Sequence, residues 1–136
     1  MRYTEYHSGK AVIKDRQILF KTKRLDNGEW VEGDLLHTRH ADVVLISDFK
    51  DQLFRCDGNT ICQYTGLEDK NGNKIWENDI AHIRSSGLSG YGVIKYENGN
   101  LVLVDVKRKR TYSMYGEWKI RKDGNIFDNP ELLEVE

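Results

Sequence analysis

The segment from Val106 to Lys122 concentrates the side chains that could bind a nucleic acid. Seven basic residues stand there against one acid, Glu117, with tyrosines and a tryptophan interleaved. Basic groups neutralise phosphates and aromatic faces stack on unpaired bases, so this composition is typical of a groove for single-stranded DNA or RNA. The predicted contact residues are Lys107, Arg108, Lys109, Arg110, Tyr112, Lys119, Arg121 and Lys122.

A solvated or protein-facing hairpin is the alternative interpretation of the same segment. In that arrangement the aromatic rings pack inward, and the basic side chains pair with the C-terminal acids Glu131, Glu134 and Glu136. The formal net charge of the whole chain is -1, so no overall field draws it onto nucleic acid or a membrane. A local basic patch on a neutral protein favours the protein-facing interpretation and leaves nucleic acid as the second one.

Two cysteines and two histidines raise the question of a zinc site, formed by Cys56 and Cys62 with His37 and His40. Structural zinc sites usually hold their cysteines in pairs about two to four residues apart, and these cysteines are spaced more widely. We therefore expect free thiols and no bound metal.

A catalytic site has one weak candidate, His82, which lies within the alternating segment "IAHIR" and could act as a general base. A lone histidine on a strand is more often an exposed or edge residue. The sequence contains no glycine-rich phosphate loop before a helix and no nucleophile elbow. We expect no catalytic residues, no cofactor and no enzymatic activity.

Turn dipeptides between extended segments indicate the fold. Asparagine-glycine and aspartate-glycine pairs accept the positive φ angles of hairpin turns, and β-branched and aromatic residues flank them here. No segment has a clean helical period, and the consecutive apolar residues Val43–Ile46 predict a buried strand. The chain is predicted to be mostly β. The predicted hairpin turns are Asn27-Gly28, Asp57-Gly58, Asn71-Gly72, Asn98-Gly99 and Asp123-Gly124.

The C-terminal half is predicted to supply about five short strands, enough for a small antiparallel barrel. Those strands are the segments "NDIAHIR", "GYGVIKYE", "NLVLVDV", "GEWKIRK" and "GNIF". After them, Asn129 can cap a helix whose first residue is Pro130, so a short helical turn is expected near the C-terminus.

A repeated phrase predicts two related corners. "NGEWVEGDLL" and "NGNKIWENDI" each run from Asn-Gly through an aromatic residue and a glutamate to an aspartate. Gly33 and Asn78 are residue types that accept a left-handed bend, and Asp34 and Asp79 can bond nearby backbone N–H groups. We interpret these four residues as structural corners and not as a metal or catalytic site.

Three ordered motifs resemble the YopX protein family of bacteriophages and prophages. They are "ILFKTKRLDNGEWVEGDLL", "CQYTGLEDKNGNKIWENDI" and "GNIFDNPELLE", and one departure is Asn78, where the family more often has glycine. The resemblance implies a C-terminal SH3-like barrel after a β-rich N-terminal part. It implies no established activity, so it transfers no catalytic residue.

These observations combine into one prediction of organisation and function. Residues 1–17 form an N-terminal extension, residues 18–60 a β-hairpin-rich subdomain, and residues 61–136 the small β-barrel. The chain has no apolar run long enough for a membrane span, and its polar N-terminus differs from a secretory signal, so we expect the bacterial host cytoplasm. With 38% hydrophobic residues the core is modest, which leaves self-association open.

The predicted function is a non-catalytic interaction module that binds a host or phage protein. Binding of single-stranded DNA or RNA through residues 107–122 is the alternative, and no membrane partner is expected.

Overall fold

Extended segments rich in β-branched and aromatic residues form antiparallel strands along the described chain. The computed structural model describes the backbone of residues 3–7, 10–14 and 17–134, and the side chains of residues 17–134. Within these ranges the strands are β1 (Tyr3–His7), β2 (Lys10–Lys14), β3 (Phe20–Lys23), β4 (Trp30–His37), β5 (Val43–Ser47), β6 (Leu53–Asp57), β7 (Cys62–Glu68), β8 (Lys74–Trp76), β9 (Asp79–Ser85), β10 (Leu88–Glu97), β11 (Asn100–Asp105), β12 (Arg110–Ser113) and β13 (Lys119–Asn125). Short 3₁₀-helices span Gly58–Thr60 and Pro130–Leu133.

Two large sheets account for most of these strands. A six-stranded sheet has the order β6-β5-β4-β3-β7-β8, a five-stranded sheet has the order β12-β11-β10-β9-β13, and β1 pairs with β2. The prediction of a mostly-β fold is confirmed. Across residues 17–134 no ladder joins β12 to β13, so backbone pairing leaves the five-stranded sheet open at both edges.

The chain passes from the larger sheet to the smaller one between Trp76, where β8 ends, and Asp79, where β9 begins. Ile75 of β8 is buried in the core of the five-stranded sheet, so the two sheets share apolar contacts at this passage. The predicted boundaries at residues 17 and 60 stay a prediction. The buried residues of that core are Ile75, Ala81, Ile83, Ile94, Leu103, Met114 and Ile120.

Three of the predicted hairpin turns are hairpins. Asn98 and Gly99 both have positive φ angles, 51° and 80°, as a type I′ turn between β10 and β11 requires. At Asn27-Gly28 and Asn71-Gly72 only the glycine has a positive φ. The Asn27 side chain instead accepts a hydrogen bond from the Glu29 backbone N–H at 2.9 Å and fixes a different turn.

The other two predicted hairpin turns are wrong. The Asp57 carboxylate accepts a 2.9 Å hydrogen bond from the Asn59 backbone N–H, which starts a 3₁₀-helix instead of a hairpin. Asp123-Gly124 lies inside β13, at a shift in register between Lys122 and Gly124. A Cβ atom on Gly124 would lie 2.4 Å from Asn129 Oδ1, so the glycine is needed for close packing of the C-terminal loop.

The fifth strand of the C-terminal sheet differs from the prediction. Four predicted segments form β9, β10, β11 and β13, but "GNIF" is not a strand of its own. Its last residues turn away, because Asn125 Oδ1 accepts hydrogen bonds from the backbone N–H groups of Phe127 and Asp128, both at 2.9 Å. The fifth strand is β12, which lies inside the basic and aromatic segment.

The secondary structure near the two ends of the chain agrees in outline with the sequence-based prediction. The predicted C-terminal helical turn is confirmed as the 3₁₀-helix that begins at Pro130, but Asn129 makes no side-chain cap. Its Oδ1 accepts a hydrogen bond from the Asn125 backbone N–H instead. The sequence of the N-terminal extension suits one hairpin around Ser8-Gly9, and β1 and β2 pair from Tyr3 opposite Lys14 to His7 opposite Lys10. Ser8 and Gly9 themselves lie outside the described residues. No helix in the described part of the chain is long and apolar enough to cross a membrane.

Asp128 ties the C-terminal loop to the six-stranded sheet. Its carboxylate accepts hydrogen bonds from Lys23 Nζ, from Trp30 Nε1 at 2.8 Å and from Asn125 Nδ2 at 3.1 Å. The hydrogen bond from Lys23 is the main cause that lowers the pKa of Asp128 to about 2. The ionised carboxylate therefore holds β3, β4 and the end of β13 together.

We expect Asp128→Asn to lower the free energy of unfolding near neutral pH by about 0.5–1 kcal/mol, allowing for solvent screening of this partly exposed group. Because the folded-state pKa lies below the unfolded one, the wild-type advantage exists above about pH 4 and disappears as pH falls towards 2. Urea denaturation across this pH range measures the difference. Parallel stability curves for the two proteins would contradict the role assigned to Asp128.

Candidate interaction surfaces

An open groove of about 780 Å³ is lined by residues of β13, β9 and β10, by Trp118 and by Glu68–Lys70. Lys119 and Arg121 line it from the outer face of β13, and Ile120 and the preceding Trp118 line it from the inner side. The opposite wall is Glu68–Lys70, at the turn that joins β7 to β8. In the described chain β13 pairs only with β9, so its other backbone edge is unpaired. We call this cavity the β13 groove.

The groove continues around Trp118 into a second cavity of about 590 Å³, which reaches the β9-β10 turn. The indole is held in place on two sides: its ring packs edge-on against Tyr112 at 6.5 Å, and its N–H donates to the Tyr115 carbonyl at 3.3 Å. Tyr112 in turn lies over Gly90, where a Cβ atom would meet the ring at 2.8 Å. The apolar part of the groove is therefore fixed by the core beneath it.

His82 lies on the outer face of the five-stranded sheet and also lines the β13 groove. Its ring stacks on Tyr91 at 4.1 Å, and its Nε2 is 3.4 Å from Asp123 Oδ2. Burial, followed by the charge of Arg121, lowers the pKa of His82, so the ring is neutral at pH 7. A catalytic use of His82 would need a second titratable group such as Asp79 in the same pocket. Asp79 is not among the lining residues of the groove.

The predicted nucleic-acid residues fall on the two edge strands of the five-stranded sheet. Three of these residues lie in the turn 106–109 between β11 and β12, and Arg110 begins β12. All four side chains are exposed, and within residues 17–134 none forms an ion pair with Glu131 or Glu134. Glu136 lies outside the described residues.

Tyr112 and the basic residues of β13 have separate environments. Tyr112 is half-buried against the core of the sheet, and Lys122 Nζ pairs with the buried carboxylate of Asp79 at 3.1 Å. Lys119 and Arg121 face the β13 groove, where Arg121 Nε bonds Asp123 Oδ1 at 3.1 Å. The structure thus divides the eight predicted residues between a turn, the core and the groove.

A buried charged cluster lies where the two sheets meet. Asp79 is fully buried, and its Oδ2 accepts a hydrogen bond from the Trp76 backbone N–H at 2.8 Å as well as the ion pair from Lys122. Its Oδ1 has no hydrogen-bond partner among the described residues. Burial raises the pKa of Asp79, although the nearby lysines oppose that shift.

Lys21 is the member of this cluster that the sequence did not indicate. Its ammonium lies 4.5 Å from the ring centroid of Trp30 and 5.0 Å from that of Trp76. Burial is the main cause that lowers the pKa of Lys21, and the charge of Lys122 adds to it. The alternation of β3 gives no signal for this, because a lysine at an inward position is normally expected to reach solvent.

The two echoed corners differ. Asn78 has φ 74°, as predicted, and Asp79 bonds the backbone at the passage between the sheets. Gly33 does not have a positive φ, so the expected left-handed bend there is wrong. It lies inside β4, where a Cβ atom would be 2.1 Å from the Ser47 carbonyl oxygen, and β4 changes its partner from β3 to β5 at this point. Asp34 is exposed.

The cysteines and histidines considered for zinc lie in different environments. Cys56 and Cys62 are free and fully buried, whereas His37 and His40 are exposed. Burial raises the pKa of Cys62 to about 11, so its thiol stays protonated at neutral pH. Among the residues that the structure describes, no three histidine, cysteine or acidic side chains form a metal-binding group.

Sequence patterns did not predict about half of the residues that line the β13 groove. Arg84 of β9 and Glu68–Lys70 of the β7-β8 turn line it with the predicted Lys119 and Arg121. Arg84 lies directly opposite Lys119 in the register of β9 and β13. These neighbours are far apart in the sequence, so only the strand pairing brings them together.

Comparison with known proteins gives a family relationship. The family model described as YopX protein matches residues 19–134, which include all of the β13 groove and the Asp79 cluster. The crystal structure of protein yopX from Bacillus subtilis is similar to this chain at 19% identity, with 98% of each chain covered and a TM-score of 0.44. No curated protein matches the chain.

The difference between the two echoed aspartates can be measured. We expect Asp79→Ala to lower the free energy of unfolding by about 2–3 kcal/mol, because the Trp76 N–H loses its acceptor and Lys122 loses its counter-charge. The matched control Asp34→Ala removes an exposed carboxylate and should change it by less than about 0.5 kcal/mol. Urea denaturation midpoints of both variants check this. Equal losses would show that Asp79 has no special role.

Proposed function

The chain belongs to the YopX protein family, and we propose that it is a non-catalytic interaction module that binds an extended segment of a host or phage protein in the β13 groove. The observation that carries this proposal is the unpaired edge of β13, a strand whose residues 119–121 line an open groove. An exposed strand edge offers backbone N–H and C=O groups to an incoming strand, and side-chain pockets beside it add selectivity.

The construction of the groove supports this use. Trp118 is held by Tyr112 and by the Tyr115 carbonyl, and Ile120 is anchored in the core, so the apolar wall is formed before a ligand arrives. A preformed wall lowers the ordering cost of binding. The register shift after Lys122 ends the regular edge, so the strand can pair with a segment of only about four or five residues.

We also propose that the five-stranded sheet is an open form of an SH3-like barrel. Strands β9 to β12 form a meander, and β13 returns to pair with β9, which is the strand order such barrels use. The resemblance to phage and prophage proteins supports a phage-derived origin and action in the bacterial host cytoplasm. The unpaired, buried cysteines are consistent with such a reducing compartment.

Selection from a library of displayed linear peptides tests the groove. We expect selected peptides to bind the native protein and to slow amide hydrogen exchange within Lys119–Lys122, because a bound strand protects the outward N–H groups of β13. The other edge strand, β12, serves as the internal control and should not gain protection. Recovery of no binder, or protection confined to β12, would overturn the proposal.

Two aromatic variants locate the site of binding. Trp118→Ala should weaken a selected peptide about tenfold or more, because the indole lines the groove. Tyr115→Ala is the matched control, since its ring is 93% exposed and does not line the groove. Thermal unfolding of each variant establishes that the fold is kept. Equal affinities for both variants would place the peptide elsewhere.

A second candidate function is binding of single-stranded nucleic acid at the turn 106–109. The observation that favours it is the exposure of Lys107–Arg110 together with the absence of ion pairs from these side chains to other described residues. Unpaired cations on a turn are available to phosphates. Against it, Tyr112 faces the core, and Lys122 is held by Asp79.

Fluorescence anisotropy with a single-stranded oligonucleotide across a salt series distinguishes the two functions. The second candidate requires saturable binding that weakens with salt, with a slope near -0.7 per phosphate contact. Combined replacement of Lys107, Arg108 and Arg110 by alanine would then flatten the slope by about two units. The matched control replaces three exposed basic residues elsewhere: Arg39, Lys50 and Arg55. Our preferred function predicts no saturable binding by any of these proteins.

A further inference from the structure

We propose that the β13 groove selects an acidic strand, in which carboxylate residues alternate with apolar ones. The inference rests on the proposed function of the groove as a peptide site and adds the chemistry of its ligand. It follows from the charges that the strand register places on the outer face and from the apolar side chains that the same register places on the inner side.

Two like charges face each other directly at the groove. Lys119 of β13 is the register partner of Arg84 of β9, and both side chains are exposed. Like charges directly opposite each other in a sheet are destabilising. Within residues 17–134 neither side chain has an acidic ion-pair partner. A ligand carboxylate beside them would relieve this repulsion.

Of the two acids on the opposite wall, Asp69 is held by donors of its own turn. Glu68 lies opposite Lys74 in the β7-β8 register. Asp69 accepts hydrogen bonds from the backbone N–H groups of Asn71 and Asn73, both at 2.9 Å, and from Asn73 Nδ2 at 3.0 Å. These donors stabilise the ionised carboxylate within its own turn. The positive charges of Arg84 and Lys119, by contrast, remain open to a ligand.

The alternation of β13 sets the pattern of the ligand. Lys119 and Arg121 project to the outer face, whereas Trp118 and Ile120 lie on the inner side. A strand paired with β13 places successive side chains on the same two faces. Its residues on the outer face, the face that carries Arg84 and Lys119, should therefore be acidic, and its intervening residues should be apolar.

A second copy of the chain and a nucleic acid both fit this edge less well. Antiparallel pairing of two β13 strands would set Lys119 of one copy beside Arg121 of the other and add repulsion. A nucleic acid needs aromatic faces for stacking, but the one indole of the groove already packs against Tyr112 and donates to the Tyr115 carbonyl. An acidic peptide uses both the backbone edge and the basic face.

The test compares three end-capped, fluorescent peptides of about eight residues, the length that covers the edge with short overhangs. One alternates glutamate and valine, one alternates lysine and valine, and one holds the same glutamates and valines in two blocks. We expect the alternating acidic peptide to bind the full chain about tenfold more tightly than either of the others. Fluorescence anisotropy at low salt measures the affinities.

Charge reversal identifies the residues that select the ligand. The double variant Arg84→Glu with Lys119→Glu should reverse the preference, so that the lysine-valine peptide binds more tightly than the glutamate-valine peptide. The matched double variant Lys107→Glu with Lys109→Glu changes the same net charge outside the groove and should keep the wild-type preference. A purely structural role of Arg84 and Lys119 would weaken both peptides alike.

If library-selected peptides protect β13 but show no preference for acidic residues, the inference fails and the proposed peptide site stands. If no peptide binds and a single-stranded oligonucleotide binds in a manner that the groove variant abolishes, both proposals fail. Sedimentation that shows a dimer dissociated by the groove variant would also overturn the inference, because the occupant would then be a second copy.

Discussion

The packing of the two large sheets against each other depends on the hydrogen bond and the ion pair of the buried Asp79 carboxylate. The carboxylate accepts the backbone N–H of Trp76 at the end of one sheet and the ammonium of Lys122 from the edge strand of the other. An unpaired buried charge is strongly unfavourable, so these partners must stay in place as long as Asp79 is ionised. Lys21, held between two indole rings, adds a second cation to the same cluster. The end of β8, the start of β9, the middle of β13 and β3 are thereby brought together at one cluster.

This anchor determines which parts of β13 remain available. Lys122 is turned inward, Ile120 is buried in the core, and Lys119 and Arg121 stay on the outer face. The strand is paired on one side with β9, its other edge is unpaired, and its residues 119–121 line the groove. A basic segment that looks continuous in the sequence therefore becomes a structural cation, a basic groove wall and a separate exposed turn. The protein has almost no net charge, so its electrostatic features lie in these local arrangements and not in an overall field.

Local rules predicted the parts of the fold in which neighbouring residues decide the conformation. Asn98-Gly99 forms the expected turn, Val43–Ser47 the expected strand, and Pro130 begins the expected helical turn. Local rules failed where a distant group competes for the same atoms. Asp123-Gly124 does not form a hairpin, because Gly124 packs closely against the Asn129 side chain. Gly33 does not adopt a left-handed conformation, because it packs closely against the Ser47 carbonyl within β4.

The sequence by itself determined the mostly-β fold, most of the strands and the family, because strand patterning and ordered motifs are written within short segments. It also located the basic and aromatic residues that line one side of the groove. Only the tertiary structure decided that Arg84 lies opposite Lys119, that Glu68–Lys70 forms the other wall of the groove, and that Lys122 forms an ion pair with Asp79. These facts depend on strand register and on packing between sheets, which join residues far apart in the chain. The physical reason is that burial and pairing partners are chosen by the whole fold, whereas a side chain's chemistry is fixed by its own residue type.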